Sequence, residues 1–228
     1  MKIGGFQKMT MLDFPGKIAC TVFTYGCNLR CPFCHNATLV THESELMDEN
    51  DILAYLNKRK GILDGVCITG GEPLLQKDII PFMQKIRELG LAIKLDTNGA
   101  YPDKLKEIID LGLVDYIAMD IKNSKEKYAL TTGVKSLDIS PFEKSVQIIM
   151  NSGVEYEFRT TVVKELHTLD DMKNIAKWIE GAKRYYIQCF AESGELIGEG
   201  FSAHDKNTLE AFCQAVFGHI SSVEIRGI

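Results

Sequence analysis

The sequence predicts an α/β protein: a partial (β/α)6 TIM-like barrel with parallel strands. Three observations lead there. Short β-type runs alternate with helical patterns from residue 17 onward. Polar side chains gather at the ends of the β-type runs. Six strand–helix units fall short of the eight that close a full barrel, so an open barrel is expected.

The β-type runs are 18–25, 65–69, 92–95, 116–119, 154–163, 185–189 and 223–225. Helical periodicity covers about 49–60, 78–89, 103–111, 141–152, 169–180 and 205–217. The first run leads straight into a cysteine-rich segment. The run at 92–95 is followed by Asp96 and Asn98, two apart and on one face if the chain stays extended. The run at 116–119 leads likewise into Asp120 and Lys122. Within 155–163, Glu155, Glu157, Arg159, Thr161 and Val163 share one face, and Tyr156, Phe158, Thr160 and Val162 the other. Gln188 sits among apolar neighbours near the end of 185–189. Helices packed outside need an apolar outer strand face. The polar side chains are therefore expected inside, at the C-terminal strand ends, where barrels of this kind hold their sites. Residues 191–204 are Gly-rich and polar and read as a loop. With no internal repeat and no low-complexity stretch, residues 1–228 read as one domain.

The composition is that of an ordinary soluble globular protein, with 45% apolar and 25% charged residues. A net charge of −5 supplies no overall basic field for nucleic acid or an anionic membrane. No apolar run reaches membrane-spanning length. The opening Met1-Lys2-Ile3-Gly4-Gly5-Phe6 lacks a signal-peptide pattern, so a cytoplasmic location is expected. In that compartment the seven cysteines do not suggest a disulfide framework.

Three of those cysteines lie in Gly26-Cys27-Asn28-Leu29-Arg30-Cys31-Pro32-Phe33-Cys34-His35-Asn36, a C-x3-C-x2-C pattern. Thiolates on one short loop can converge on a metal or a cluster. Structural zinc normally takes four ligands, usually from two paired knuckles, and no second knuckle follows. His35 could complete a zinc site only by binding beside Cys34, which adjacent residues rarely manage. Three ligands on a four-iron cluster leave one iron open, a catalytic feature, whereas an electron carrier closes its cluster with a fourth cysteine.

This loop resembles the hallmark of the radical S-adenosylmethionine (radical SAM) superfamily, and the likeness extends over most of the chain. Thr69-Gly70-Gly71-Glu72-Pro73 looks like the family's GGEP motif, which receives the amino group of the cofactor's methionine part. Met11-Leu12-Asp13-Phe14-Pro15-Gly16-Lys17 and Cys34-His35-Asn36 look like the glycyl-radical-enzyme activases. The group most similar is the anaerobic ribonucleoside-triphosphate reductase activating proteins. Asp96-Thr97-Asn98-Gly99 and Met119-Asp120-Ile121-Lys122 resemble activase strand-end motifs. The resemblance implies a radical SAM core with a [4Fe–4S] cluster on Cys27, Cys31 and Cys34, and S-adenosylmethionine beside it. It places Asp120 and Lys122 beside the cofactor and Asn98 near its ribose or methionine part. It assigns Glu72 to the ammonium and Arg159 to the carboxylate, with Phe33 near the adenine. No extra cluster is expected, because no cysteine lies between Cys34 and Cys67.

The implied mechanism is that of the superfamily. Methionine amine and carboxylate chelate the open iron, the reduced cluster cleaves the sulfonium, and a 5′-deoxyadenosyl radical abstracts hydrogen. In an activase that hydrogen comes from a glycine of a large partner enzyme, with flavodoxin or ferredoxin as electron donor. A small-molecule radical enzyme such as a deazapurine-forming one, a pyruvate formate-lyase-type activase, and a non-enzymatic iron–sulfur or zinc scaffold stay open as alternatives.

Plainer readings stand beside these. Asp13, Asp96 and Asp120 suit caps or turns, and Lys122 suits a solvated surface. Arg159 can pair with Glu157 on its own strand. Gln188 reads as a pocket-lining hydrogen-bonder. Cys20, Cys67, Cys189 and Cys213 read as small buried apolar residues, with Cys189 the candidate hydrogen donor. His42, His167, His204 and His219 read as surface or cap residues. Tyr25 and Phe33 flank and shield the cysteine loop.

Overall fold

The structure, a computed structural model, describes residues 1–41, 45–192, 194 and 196–227; His42 lies outside them. Among the described residues eight strands form one sheet: β1 (Ile3–Thr10), β2 (Ala19–Thr24), β3 (Gly65–Gly70), β4 (Ala92–Thr97), β5 (Tyr116–Asp120), β6 (Glu155–Val162), β7 (Tyr185–Cys189) and β8 (Val223–Arg226). They lie side by side in chain order. β1 runs antiparallel to β2, and every later neighbour is parallel. β1 and β8 are the two edges, so the barrel is open, as the sequence predicts.

Among the described residues eight α-helices connect the strands: α1 (Ala37–Thr41), α2 (Glu49–Lys58), α3 (Ile79–Glu88), α4 (Pro102–Asp110), α5 (Tyr128–Thr132), α6 (Ser140–Asn151), α7 (Leu169–Trp178) and α8 (Lys206–Val216). Six of them match the predicted periodic segments, and local signals start several. Asp48 caps α2 by accepting from the Asn50 N–H. Thr168 and Asp171 form a capping box at α7. Asp205 caps α8 by accepting from Thr208. α1 and α5 are only five residues each, too short to show a period.

β1 adds a strand that the sequence pattern does not signal. Its Gly4-Gly5 start and exposed Gln7 and Lys8 give no apolar run. Pairing creates it instead, with Phe6 opposite Val22 and Ile3 opposite Thr24.

Alternation along the strands sorts the faces as expected. Val66, Ile68, Ile93, Leu95, Ile117 and Phe158 are fully buried in the apolar core shared with the helices. The intervening Lys94, Asp96, Glu157 and Arg159 point into the barrel. At the N-terminal strand ends Phe14, 2% exposed, packs with Ala19 and Tyr116 and fills the barrel floor. Above it Glu157 accepts from the Tyr116 hydroxyl at 2.8 Å and takes Arg226 in a two-pronged pair at 2.8 and 3.0 Å. The barrel thus opens at its C-terminal end. Over its described residues, 191–204 carries neither helix nor strand. No helix among the described residues is long and apolar enough to cross a membrane.

Candidate active site

The C-terminal strand ends and the loop after β2 enclose a cavity of about 440 Å³. Cys27, Cys31 and Cys34 line it together, and Phe33 closes it beside them. Gly70 and Gly71 enter from β3, and Asp96 and Asn98 from β4. β5 sends Asp120 and Lys122, β6 sends Arg159 and Thr161, and β7 sends Gln188. Six consecutive parallel strands, β2 to β7, therefore contribute to one site, as the paired polar residues in the sequence suggest.

Local contacts set the cysteine loop. The Gly26 N–H donates to the Leu39 carbonyl at 2.8 Å, and Cys34 N–H to the Cys31 carbonyl at 3.1 Å. Arg30 turns its guanidinium back onto the Cys27 and Leu29 carbonyls at 2.7 and 2.8 Å. The Asn36 amide crosses to the Gly70 carbonyl at 3.1 Å. All three cysteines are free thiols. Burial pushes the Cys31 thiol up to about 12, against the pull of Lys122. Burial also raises Cys27. Ligation therefore releases protons, and Lys122 is the nearby cation that favours thiolates. Three soft donors on one loop beside a roomy cavity fit an iron–sulfur cluster. No trio of His, Cys, Asp or Glu among the described residues is arranged around a single metal ion. His35, the candidate fourth zinc ligand, packs its ring on Phe190 at 5.4 Å.

The Gly-Gly-Glu-Pro turn packs its backbone closely against its neighbours. Gly70 has φ +119°, and a Cβ there would sit 2.3 Å from the Thr24 nitrogen. A Cβ on Gly71 would sit 2.0 Å from the Gly26 oxygen. The glycines thus let the turn press against the cysteine loop, with Gly71 N–H on the Thr24 carbonyl and Glu72 N–H on the Gly26 carbonyl. Glu72 does not line the cavity. Its carboxylate is fully buried and accepts from Leu74 N–H, the Thr97 hydroxyl and Asn98 N–H at 3.0, 2.7 and 2.6 Å. Burial raises its pKa to about 7 while these donors pull it down. Pro73 starts a 3₁₀ turn and is buried away from the cavity. Glu72 and Pro73 thus lie behind the cavity wall, and Glu72 ties the turn after β3 to the end of β4.

A ladder of charges crosses the cavity floor. Lys122 donates to Asp120 at 2.9 Å. Arg159 bridges Asp120 at 3.0 Å and Asp96 at 3.1 Å. Lys94, 2% exposed, pairs with Asp96 from below. Burial pushes both carboxyls up, but their cations outweigh it. Arg159 and Lys94 lower Asp96, and Lys122 and Arg159 hold Asp120 well below the usual range. Arg159 does not pair with Glu157, which is taken by Arg226 and Tyr116. Asp13 reaches the cavity from the β1–β2 loop and accepts from the Thr21 hydroxyl at 2.5 Å. The Thr161 hydroxyl meets Gln188 Oε1 at 3.5 Å.

Two residues emerge that the sequence reading misses. His167, expected at the surface or as a cap, is 1% exposed. Its Nδ1 meets Val163 N–H at 3.1 Å and its Nε2 the Lys122 carbonyl at 2.9 Å, while Phe33 stands edge-on at 6.2 Å. Lys94 is the other; its spacing of two from Asp96 in an apolar strand was the available signal.

The match to known proteins agrees with this geometry. The family model described as the radical SAM superfamily matches residues 21–179. A Methanocaldococcus jannaschii protein provisionally named a glycyl-radical enzyme activating enzyme is 31% identical over 99% of this chain and 96% of its own. The pyruvate formate-lyase-activating enzyme of Clostridium pasteurianum is 33% identical over 77% of this chain and 74% of its own. In fold, Streptococcus suis SuiB bound to S-adenosylmethionine superimposes with a TM-score of 0.70 at 17% identity, covering 89% of this chain and 48% of that one. The family implies a [4Fe–4S] cluster and S-adenosylmethionine. The chain belongs to the radical SAM superfamily of enzymes and, within it, is related to the glycyl-radical enzyme activating enzymes.

Proposed function

We propose that Cys27, Cys31 and Cys34 hold the [4Fe–4S] cluster, and that the cavity takes S-adenosylmethionine to install a glycyl radical on a partner enzyme. Anaerobic ribonucleoside-triphosphate reductase is the partner its motifs favour. The observation that carries the site is the meeting of three thiols, two close-packed glycines and a charge ladder in one cavity.

When bound, the cluster and S-adenosylmethionine supply one-electron cleavage and hydrogen abstraction. The protein's own residues position and shield. Asp13, Asp96 and Asp120 are the cavity anions that suit an ammonium group. Arg159 and Lys122 are the cations that suit a carboxylate. Phe33 packs between His167 and Phe201 and gives the cavity a dry apolar wall for the adenine. Gln188 and Thr161 offer hydrogen bonds one step nearer the open end of the barrel than Arg159. The open C-terminal end admits a glycine loop of a macromolecule that then covers the site.

The reading places the protein in a reducing cytoplasm, served by flavodoxin or ferredoxin. Its test is anaerobic mixing of the reduced, S-adenosylmethionine-loaded protein with candidate glycyl radical enzymes, followed by electron paramagnetic resonance (EPR). A glycyl radical signal on the ribonucleotide reductase supports it. A signal only on a pyruvate formate-lyase-type partner selects that alternative, favoured by the Clostridium likeness. No signal on either overturns the activase reading.

A further inference from the structure

We propose that Asn98 sets the reduction potential of the cluster through an N–H···S hydrogen bond to Cys27, a role that rests on the cluster assignment above. Its amide orientation is fixed by its neighbours. Asn98 Oδ1 accepts from Ala100 N–H at 2.9 Å, so Nδ2 faces the cysteine loop. That nitrogen has two hydrogens to give. One goes to Asn28 Oδ1 at 2.8 Å, and the other faces Cys27 Sγ at 3.7 Å. Leu29 N–H supplies a second donor to the same sulfur at 3.4 Å.

Asn98 is also held against swinging away. It is 5% exposed, and its backbone N–H is tied to Glu72 Oε2 at 2.6 Å. A donor aimed at a ligand sulfur stabilises the more negative, reduced cluster and so raises its potential. Glu72 then acts on the cluster at one remove, by placing the residue that donates. This differs from a contact to the ribose or methionine part, because it operates before S-adenosylmethionine binds.

The test is EPR-monitored redox titration of reconstituted wild type, Asn98→Ala and Asn98→Asp without S-adenosylmethionine, with iron content measured alongside. Asn98→Ala should lower the equilibrium constant for reduction roughly tenfold, about 59 mV for one electron. Asn98→Asp keeps the acceptor for Ala100 but puts an anion where the donor was, and should lower it further. Wild-type potentials in both variants, with only weakened S-adenosylmethionine binding, would overturn the proposal. Folded variants that load no cluster would overturn it too, showing that Asn98 only holds the loop. A wild type that assembles no cluster refutes the cluster assignment instead, so the two failures are distinct.

Discussion

The Asn98 N–H donates to Glu72 Oε2 at 2.6 Å, and this bond ties the end of β4 to the turn after β3. Glu72 gathers two further donors, Leu74 N–H and the Thr97 hydroxyl. Replacing it strands all three in a dry site. Glu72→Ala should cost about 3 kcal/mol or more of folding stability. Denaturant unfolding of the cluster-free protein measures this; a loss below about 1 kcal/mol would show that the donors find other partners.

Gly71→Ala should fold but load iron poorly. The new Cβ would meet the Gly26 carbonyl oxygen at 2.0 Å, and backbone on both sides must move. Gly26 adjoins Cys27, so the displacement reaches the ligand loop directly. Iron and sulfide content after anaerobic reconstitution checks it, and full loading contradicts it.

His167→Ala should destabilise the protein by about 2–4 kcal/mol, since it leaves the Val163 N–H and the Lys122 carbonyl unpaired in a buried place. The same change loosens the backbone of Lys122 and the packing on Phe33. Thermal unfolding gives the first effect. His167→Asn, which keeps a donor and an acceptor, should recover part of the loss.

Acid should unfold the cluster-free protein through the charge ladder. Asp120 is raised by burial but lowered more strongly by Lys122 and Arg159, so its folded pKa lies below its unfolded value of about 3.9. A carboxyl depressed in this way adds stability that is present above the unfolded pKa and disappears as pH falls through the folded one. Asp96 has the same sign. Stability of the wild type should therefore drop from about pH 5 downward, and Asp120→Asn should flatten that slope while being less stable near pH 7. Equal slopes in the two proteins would contradict the linkage.

Much of this was readable from residue pattern because the pattern and the packing coincide. The parallel strands β2 to β8 carry β-type runs, and their inner polar residues recur two apart, as at Asp96 and Asn98 or Asp120 and Lys122. The gathering of Cys27, Cys31 and Cys34 on one loop was legible from their spacing. β1 was not, because an edge strand with glycines and exposed polar residues is made by its partner rather than by its own propensity. Glu72 was legible as a motif but not as a brace, since its three donors include residues 25 and 26 positions away. His167 was missed for the same reason: its Nε2 partner, the Lys122 carbonyl, lies 45 residues earlier. Long-range hydrogen bonds of this kind leave no local period in a sequence.

The measurement that bears most directly on the radical chemistry is 5′-deoxyadenosine formation. The protein is reconstituted anaerobically with iron and sulfide, reduced in the presence of S-adenosylmethionine, and the product followed by chromatography. The wild type should form 5′-deoxyadenosine and Cys31→Ala none. A wild type that carries a full, reducible cluster and still forms no product would contradict the assignment of this site to S-adenosylmethionine cleavage.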